Sequence, residues 1–261
     1  MLVSLYSAST GMIAQQRRLD TISNNLSNVD TTGYKAQRVE FQDLLYTPIK
    51  EAGTPVAQNS VLPTGDYVGH GVKVVATNRI FTQGNIEQTG GTFDLAIMGD
   101  GFFQVQLQDG RIAYTRDGAF KVDGDGRLVT SNGLLLVPNI TLPTTAESVN
   151  ISPDGIISAK LPDGTIQNVG NLTLVRFVNP AGLKSIGNNL FLSTPASGVA
   201  TEGIPNQDGF GSIEQGSLEK SNVDVVKEMV NMIVAQRTYD LNSKAIQTAD
   251  DFLRTIGTLK R

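Results

Sequence analysis

The first 29 residues constrain the fold more than any other stretch. Met1, Leu5, Ala8, Met12, Gln15, Leu19, Ile22, Leu26 and Val29 follow one another at alternating spacings of four and three, a heptad seam interrupted only by Gln15. That spacing predicts a helix of roughly 40 Å with a narrow apolar edge. Its other faces carry Ser7, Ser9, Gln16, Arg17, Arg18, Asp20 and Asn24, which require water. Such an edge needs a partner helix, and the comparable stretch lies at the opposite end of the chain. Between Asp224 and Leu259, residues including Val226, Met229, Val230, Ile233, Val234, Leu241, Phe252, Leu253 and Ile256 form a broader apolar face at helical spacing. The segments between read as strands and turns. The expected fold is therefore α+β: long N- and C-terminal helices paired as a coiled-coil-like stalk, with a central antiparallel β body.

Local signals divide the chain. The first helix ends by Gly33, because Asn, Asp and Thr compete with helical hydrogen bonds and Gly accepts a left-handed stop. Residues 1–35 are thus a helix and turn. Residues 36–71 read as an extended linker, and the Tyr46 to Thr64 excursion within it, with Pro48, Gly53, Pro55 and Pro63, has little periodicity. An irregular connector and a functional insertion are both compatible with that stretch. Residues 72–216 form the expected β body. There the period changes to two, as in Phe103-Gln104-Val105-Gln106-Leu107-Gln108, and Asp109-Gly110, Asp123-Gly124, Asn132-Gly133, Asp154-Gly155 and Asp163-Gly164 supply hairpin turns. Residues 217–261 hold the second helix, with Ser221 or Asn222 as its cap.

Composition then removes whole classes of function. Residues 46–214 hold ten Lys/Arg against fifteen Asp/Glu, so no basic stripe is available and nucleic-acid binding is not expected. The chain has no cysteine, hence no disulfide, thiolate nucleophile or cysteine metal site. No run reaches the apolar length of a membrane helix, and no basic n-region with an apolar h-region marks a leader, so neither membrane insertion nor a cleaved signal peptide is expected. The nucleotide-binding, serine-hydrolase and zinc-protease motifs are all missing. The single histidine, His70, sits between two glycines and reads as a loop residue. Asp123-Gly124-Asp125-Gly126 resembles the start of a calcium loop, but Leu134 stands where a twelfth-position acid is required. No catalytic residue, metal ligand or cofactor is expected.

At both ends the residues resemble a known family. Asn24, Asn25, Leu26, Asn28, Val29, Gly33, Tyr34 and Lys35 lie in a run, ISNNLSNVDTTGYK, that is similar to the N-terminal signature of bacterial flagellar axial proteins, the rod and hook subunits. Ser221, Asn222 and Val223, followed by Arg237 and Tyr239, resemble the C-terminal signature of the same family. Segments of the body, among them Ala113-Tyr114-Thr115-Arg116-Asp117-Gly118, are more similar to its distal-rod members. The Tyr46 to Thr64 excursion resembles an insertion linked to rod straightness.

The resemblance implies a structural subunit of the distal rod of the flagellar basal body. It would assemble with itself into a helical tube, a rigid drive shaft with terminal helices in the inner layer and β bodies in the outer one. Its implied partners are proximal rod proteins, the hook protein, the P-ring and L-ring bushing and the flagellar type III export apparatus. Its implied place is the basal-body rod, crossing the periplasm. The residues expected to form the assembly seam are Leu5, Met12, Gln15, Leu19, Ile22 and Leu26 in the first helix and Ile233, Leu241, Phe252 and Ile256 in the second. Gln15 either fixes register at some cost in stability or lies at the wet edge of the seam. A proximal-rod or hook-type subunit is the alternative within the family. From another class, the alternative is a monomeric β-rich domain binding or hydrolysing cell-wall glycan, against which the lack of Trp and scarcity of Tyr count.

Overall fold

A computed structural model of the chain describes residues 2–53, 55–57 and 60–259. Met1 and the side chains of Pro55 and Ile256, named above, lie outside the described residues. An N-terminal helix, a C-terminal helix and a central antiparallel β body make the fold α+β. The chain divides into two compact units.

The first unit comprises Met1–Leu26, Gln37–Asn78 and Asp224–Arg261. Its helices are α1 (Leu2–Ser27) and α2 (Val225–Leu259). Two contacts between them, among the described residues, set their register. A Cβ at Gly11 would lie 2.9 Å from the Asn242 amide nitrogen, and the Asn25 amide donates to the Glu228 carboxylate. Asn25 and Gly11 are fourteen residues apart going back along α1, and Glu228 and Asn242 fourteen going forward along α2, so the helices run antiparallel in one register. Asp224 caps α2 by accepting from the Lys227 N–H at 3.2 Å. The expected caps are used otherwise: the Ser221 hydroxyl accepts from Val223 N, and Asn222 bonds within the other unit.

Residues 36–71 do not form a simple extended linker. Strand Gln37–Asp43 pairs with Val72–Arg79, Tyr46–Lys50 with Asp66–Gly69, and Pro55–Ala57 with Ser60–Val61. The excursion is thus a narrow two-stranded ribbon. Pro48 and Pro55 lack an N–H, which only strands with a free edge tolerate, and both strands of a two-stranded ribbon are edges.

The second unit comprises Ser27–Ala36 and Arg79–Val223. Its largest sheet has seven antiparallel strands in the order Phe120–Val122, Leu128–Thr130, Leu135–Val137, Phe103–Gln106, Ile112–Thr115, Leu190–Leu192 and Lys184–Gly187. Alternation along its central strands feeds two clusters. Phe103, Val105, Ala113 and Leu190 pack with Phe120, Leu128 and Leu136, whereas Tyr114 and Phe191 pack with Phe102, Val175 and Phe177. Edge-to-face rings, such as Phe103 on Phe120 at 5.1 Å, fill both sides. Because both faces are covered, Gln104, expected to point to water, is buried. A three-stranded sheet, Ser148–Ile151, Ile156–Lys160 and Ile166–Asn171, adjoins in sequence. Its last turn is tight and open: Gly164 N donates to Leu161 O at 2.9 Å, and a Cβ on Gly164 would meet nothing within 4 Å.

The Asp-Gly and Asn-Gly turns fall where expected. Asp123-Gly124-Asp125-Gly126 closes a hairpin, with both carboxylates on Arg127 at 2.9 and 2.7 Å. His70 lies between strands, its Nε2 3.4 Å from the Thr47 hydroxyl.

Candidate functional site

Within the second unit, the segment that follows α1 and the segment that precedes α2 are fastened together around three buried charges. Strand Ser217–Glu219 pairs with Ile86–Gln88, which carries Glu219 inward. The Lys35 Nζ lies 2.5 Å from Glu219 Oε1, and both side chains are wholly inaccessible. Lys35 also donates to Thr82 O at 2.8 Å. Arg116 Nη1 sits 3.2 Å from Glu219 Oε2, donates through its other terminal nitrogen to Gly99 O at 2.7 Å, and lies over the Phe102 ring. Gly84 N–H supplies another donor to Glu219 Oε1 at 2.9 Å. One carboxylate therefore serves two cations in a dry site. Burial pushes the Lys35 amine below the ordinary lysine value, against the pull of Glu219 and with a push from Arg116. Burial lowers Arg116 in the same way.

The backbone around this triad is equally constrained. Gly33 has φ +67°, donates to Glu219 O at 2.8 Å, and lies so close to Arg116 and Asp117 that a Cβ would come within 2.7 Å of their backbone. Only glycine satisfies both demands. Thr32 donates its hydroxyl to Asp117 at 3.0 Å, and its carbonyl accepts from Asn189 at 2.9 Å. Asn222 is the second fastener. Its side-chain oxygen accepts from Ala36 N at 2.7 Å, and its amide donates to Ile80 O at 2.9 Å and Thr82 O at 3.1 Å. Tyr34 is buried, with the Arg79 guanidinium 5.7 Å from its ring centre.

In the first unit, Asn25 acts as a strand mimic: its amide donates to Gln37 O at 2.8 Å and its oxygen accepts from Gln37 N at 2.9 Å. The two faces of α2 differ in chemistry. Glu228, Ala235 and Asn242, seven residues apart, form the stripe that meets α1, and all three are buried or half-buried. Positions two residues away on a helix lie about 200° around it. Val226 and Ile233 therefore point the opposite way, Met229 and Leu241 lie on the flanks about 100° from Glu228 and Asn242, and Ile233 and Leu241 are 57% and 65% exposed. The apolar face of α2 is open, and the small and polar face meets α1. Phe252 is also exposed, at 60%. On α1, Ile22 is buried and Leu5, Met12, Gln15, Leu19 and Leu26 are half-buried. The Gln15 side-chain oxygen is shielded from water with no hydrogen-bond partner among the described residues.

Three family descriptions match this chain: flagella basal body rod protein over residues 5–35, flagellar hook protein FlgE/F/G D1 domain over residues 96–159, and flagellar basal body rod FlgEFG protein C-terminal over residues 214–259. The flagellar basal-body rod protein FlgG of Borreliella burgdorferi is 50% identical over 264 residues, covering all of both chains. The chain belongs to the FlgG family of flagellar basal-body rod proteins. FlgG of Bacillus subtilis is 40% identical, and the flagellar hook-basal body complex protein FlhP of that organism 34%, each again over the full length of both chains.

The buried triad draws one charge from each of the three matched segments of this FlgG-family chain: Lys35 from the first, Arg116 from the second and Glu219 from the third. Of the signature residues, Gly33, Tyr34, Lys35, Ser221 and Asn222 gather there. Asn28 bonds Thr31 in the turn before it, and Val29 and Val223 flank it half-buried. Asn24, on α1, lines a groove of about 640 Å³ with Arg17, Asp20 and residues 74–77. Arg237 and Tyr239 stay on the exposed surface of α2, away from the triad segments in sequence. Sequence reading singled out Lys35 but neither Arg116 nor Glu219. The available signal was that Arg116 sits inside a run resembling the family and Glu219 lies two residues before another.

Proposed function

We propose that this chain is a structural subunit of the distal rod of the bacterial flagellar basal body, assembling with copies of itself into a helical tube that transmits torque to the hook as a rigid drive shaft. The observation that carries this reading is the open apolar face of α2, turned away from α1. A face of Val226, Met229, Ile233 and Leu241 in water is unfavourable, and an open-ended assembly of heterologous contacts is one way to cover it. That the Gln15 side-chain oxygen is already shielded within its own chain supports a role in register over a wet edge. Leu5, Met12, Leu19, Ile22 and Leu26, with Leu241, Ile233, Phe252 and Ile256, are the seam in this proposal.

The proposal extends to the surroundings. Proximal rod proteins lie on one side along the axis and the hook on the other, with the P- and L-rings as bushing. The chain reaches the periplasm unfolded through the flagellar type III export apparatus, and no substrate is turned over. The Tyr46–Lys50 and Asp66–Gly69 ribbon stiffens the tube by seating against a neighbouring subunit. Tyr46, Ile49 and Tyr67 are exposed on it, and a lone two-stranded hairpin is marginal in water.

The test separates folding from assembly. Ile233→Asp and Leu241→Asp change residues exposed in the single chain, so monomer stability should move by no more than about 0.5 kcal/mol. Incorporation into rods and motility should be lost. Motile cells with rods of normal length would overturn the assignment.

A further inference from the structure

We propose that the pairing of residues 33–36 with residues 219–222 is a mechanical clamp, which carries tension entering from the two terminal helices past the β body without stretching it. The two segments run parallel: Gly33 bonds Glu219, and further on Tyr34 O accepts from Asn222 N at 3.4 Å and Ala36 N donates to the Asn222 side chain. Partners here are 184 or more residues apart, so the clamp closes nearly the whole body into one loop. A pull applied before residue 33 and after residue 222 loads these contacts, together with those of Thr32 to Asp117 and Asn189, before the backbone of the loop is stretched.

The direction of the load matters as much as its place. Parallel neighbours pulled from the start of one and the end of the other are drawn past each other along their length. The hydrogen bonds and the ion pair then share the force, whereas an antiparallel pair pulled from its open end gives way one contact at a time. Rupture also separates Lys35 and Arg116 from Glu219 inside a site closed to water, where an unpaired charge is poorly tolerated. Forced unfolding is governed by the height of that first barrier. The biological use of the clamp rests on the drive-shaft reading, but its mechanics do not.

The chain has no cysteine, so Asp30→Cys and Val226→Cys give two unique handles for pulling a single full-length molecule. The clamp predicts one rupture that releases about 60 nm of chain at once, at 3.3–3.6 Å per residue. Glu219→Gln and Asn222→Ala should each lower the rupture force at least twofold. If Glu219→Gln does not fold, Asn222→Ala decides, since it leaves the three charges in place. Shorter releases preceding the main one, or an unchanged force in Asn222→Ala, would overturn the clamp. A single 60 nm release alongside normal rods in Ile233→Asp cells would keep the clamp and remove only the rod reading.

Discussion

Glu219 holds two cations, and its loss should be the most damaging single change in the second unit. Glu219→Gln leaves Lys35 and Arg116 buried without a counter-charge, so a loss of about 3–5 kcal/mol is expected in denaturant unfolding. Replacing all three charges by apolar residues of similar size should cost far less than that single change. The Lys35 amine adds a pH signature. Its folded pKa is below the ordinary 10.5, so between the two values the unfolded chain binds more protons. The contribution of this group to stability therefore rises with pH through that window and is complete above 10.5. Stability curves of the natural chain and of Lys35→Met should differ by this slope, and parallel curves would contradict it. Lys35 was visible in the sequence as part of a signature, but its burial was not. A lysine among Gly, Tyr and Ala reads as a surface residue unless a distant acid is known to meet it, and Glu219 is 184 positions away.

At the scale of elements, both helices and most hairpins were legible, because heptad spacing and Asp-Gly turns are local signals. The Tyr46–Gly69 ribbon was not, since Pro48 and Pro55 weaken the reading of a strand and nothing local reveals a partner. Periodicity also identified the apolar face of α2 without saying what covers it. Within one chain, α1 meets the stripe of Glu228, Ala235 and Asn242 instead, with Gly11 set against the Asn242 side chain. Gly11→Leu should thus wedge the pair apart despite the better helix propensity of Leu. Faster amide exchange along α1, with the second unit unaffected, is the expected readout; unchanged exchange in α1 would rule out close contact at this position.

For the whole molecule, the clamp segments lie next to the helices in sequence and bind the body through Thr82, Gly84, Ile86–Gln88 and Arg116, while the Asp163-Gly164 turn bonds within its own hairpin. Residues 33–36 and 219–222 have to find each other and the few body groups that bind them. The chain between them behaves as an exchangeable module whose size is invisible to the ends, provided its interior contacts to Arg116, Ile80 and Thr82 are kept. The open turn at Asp163-Gly164 is then a port. If the chain assembles as proposed, a small folded guest domain spliced there should decorate the outside of the rod, giving a fluorescent or affinity mark distant in sequence from the two terminal helices.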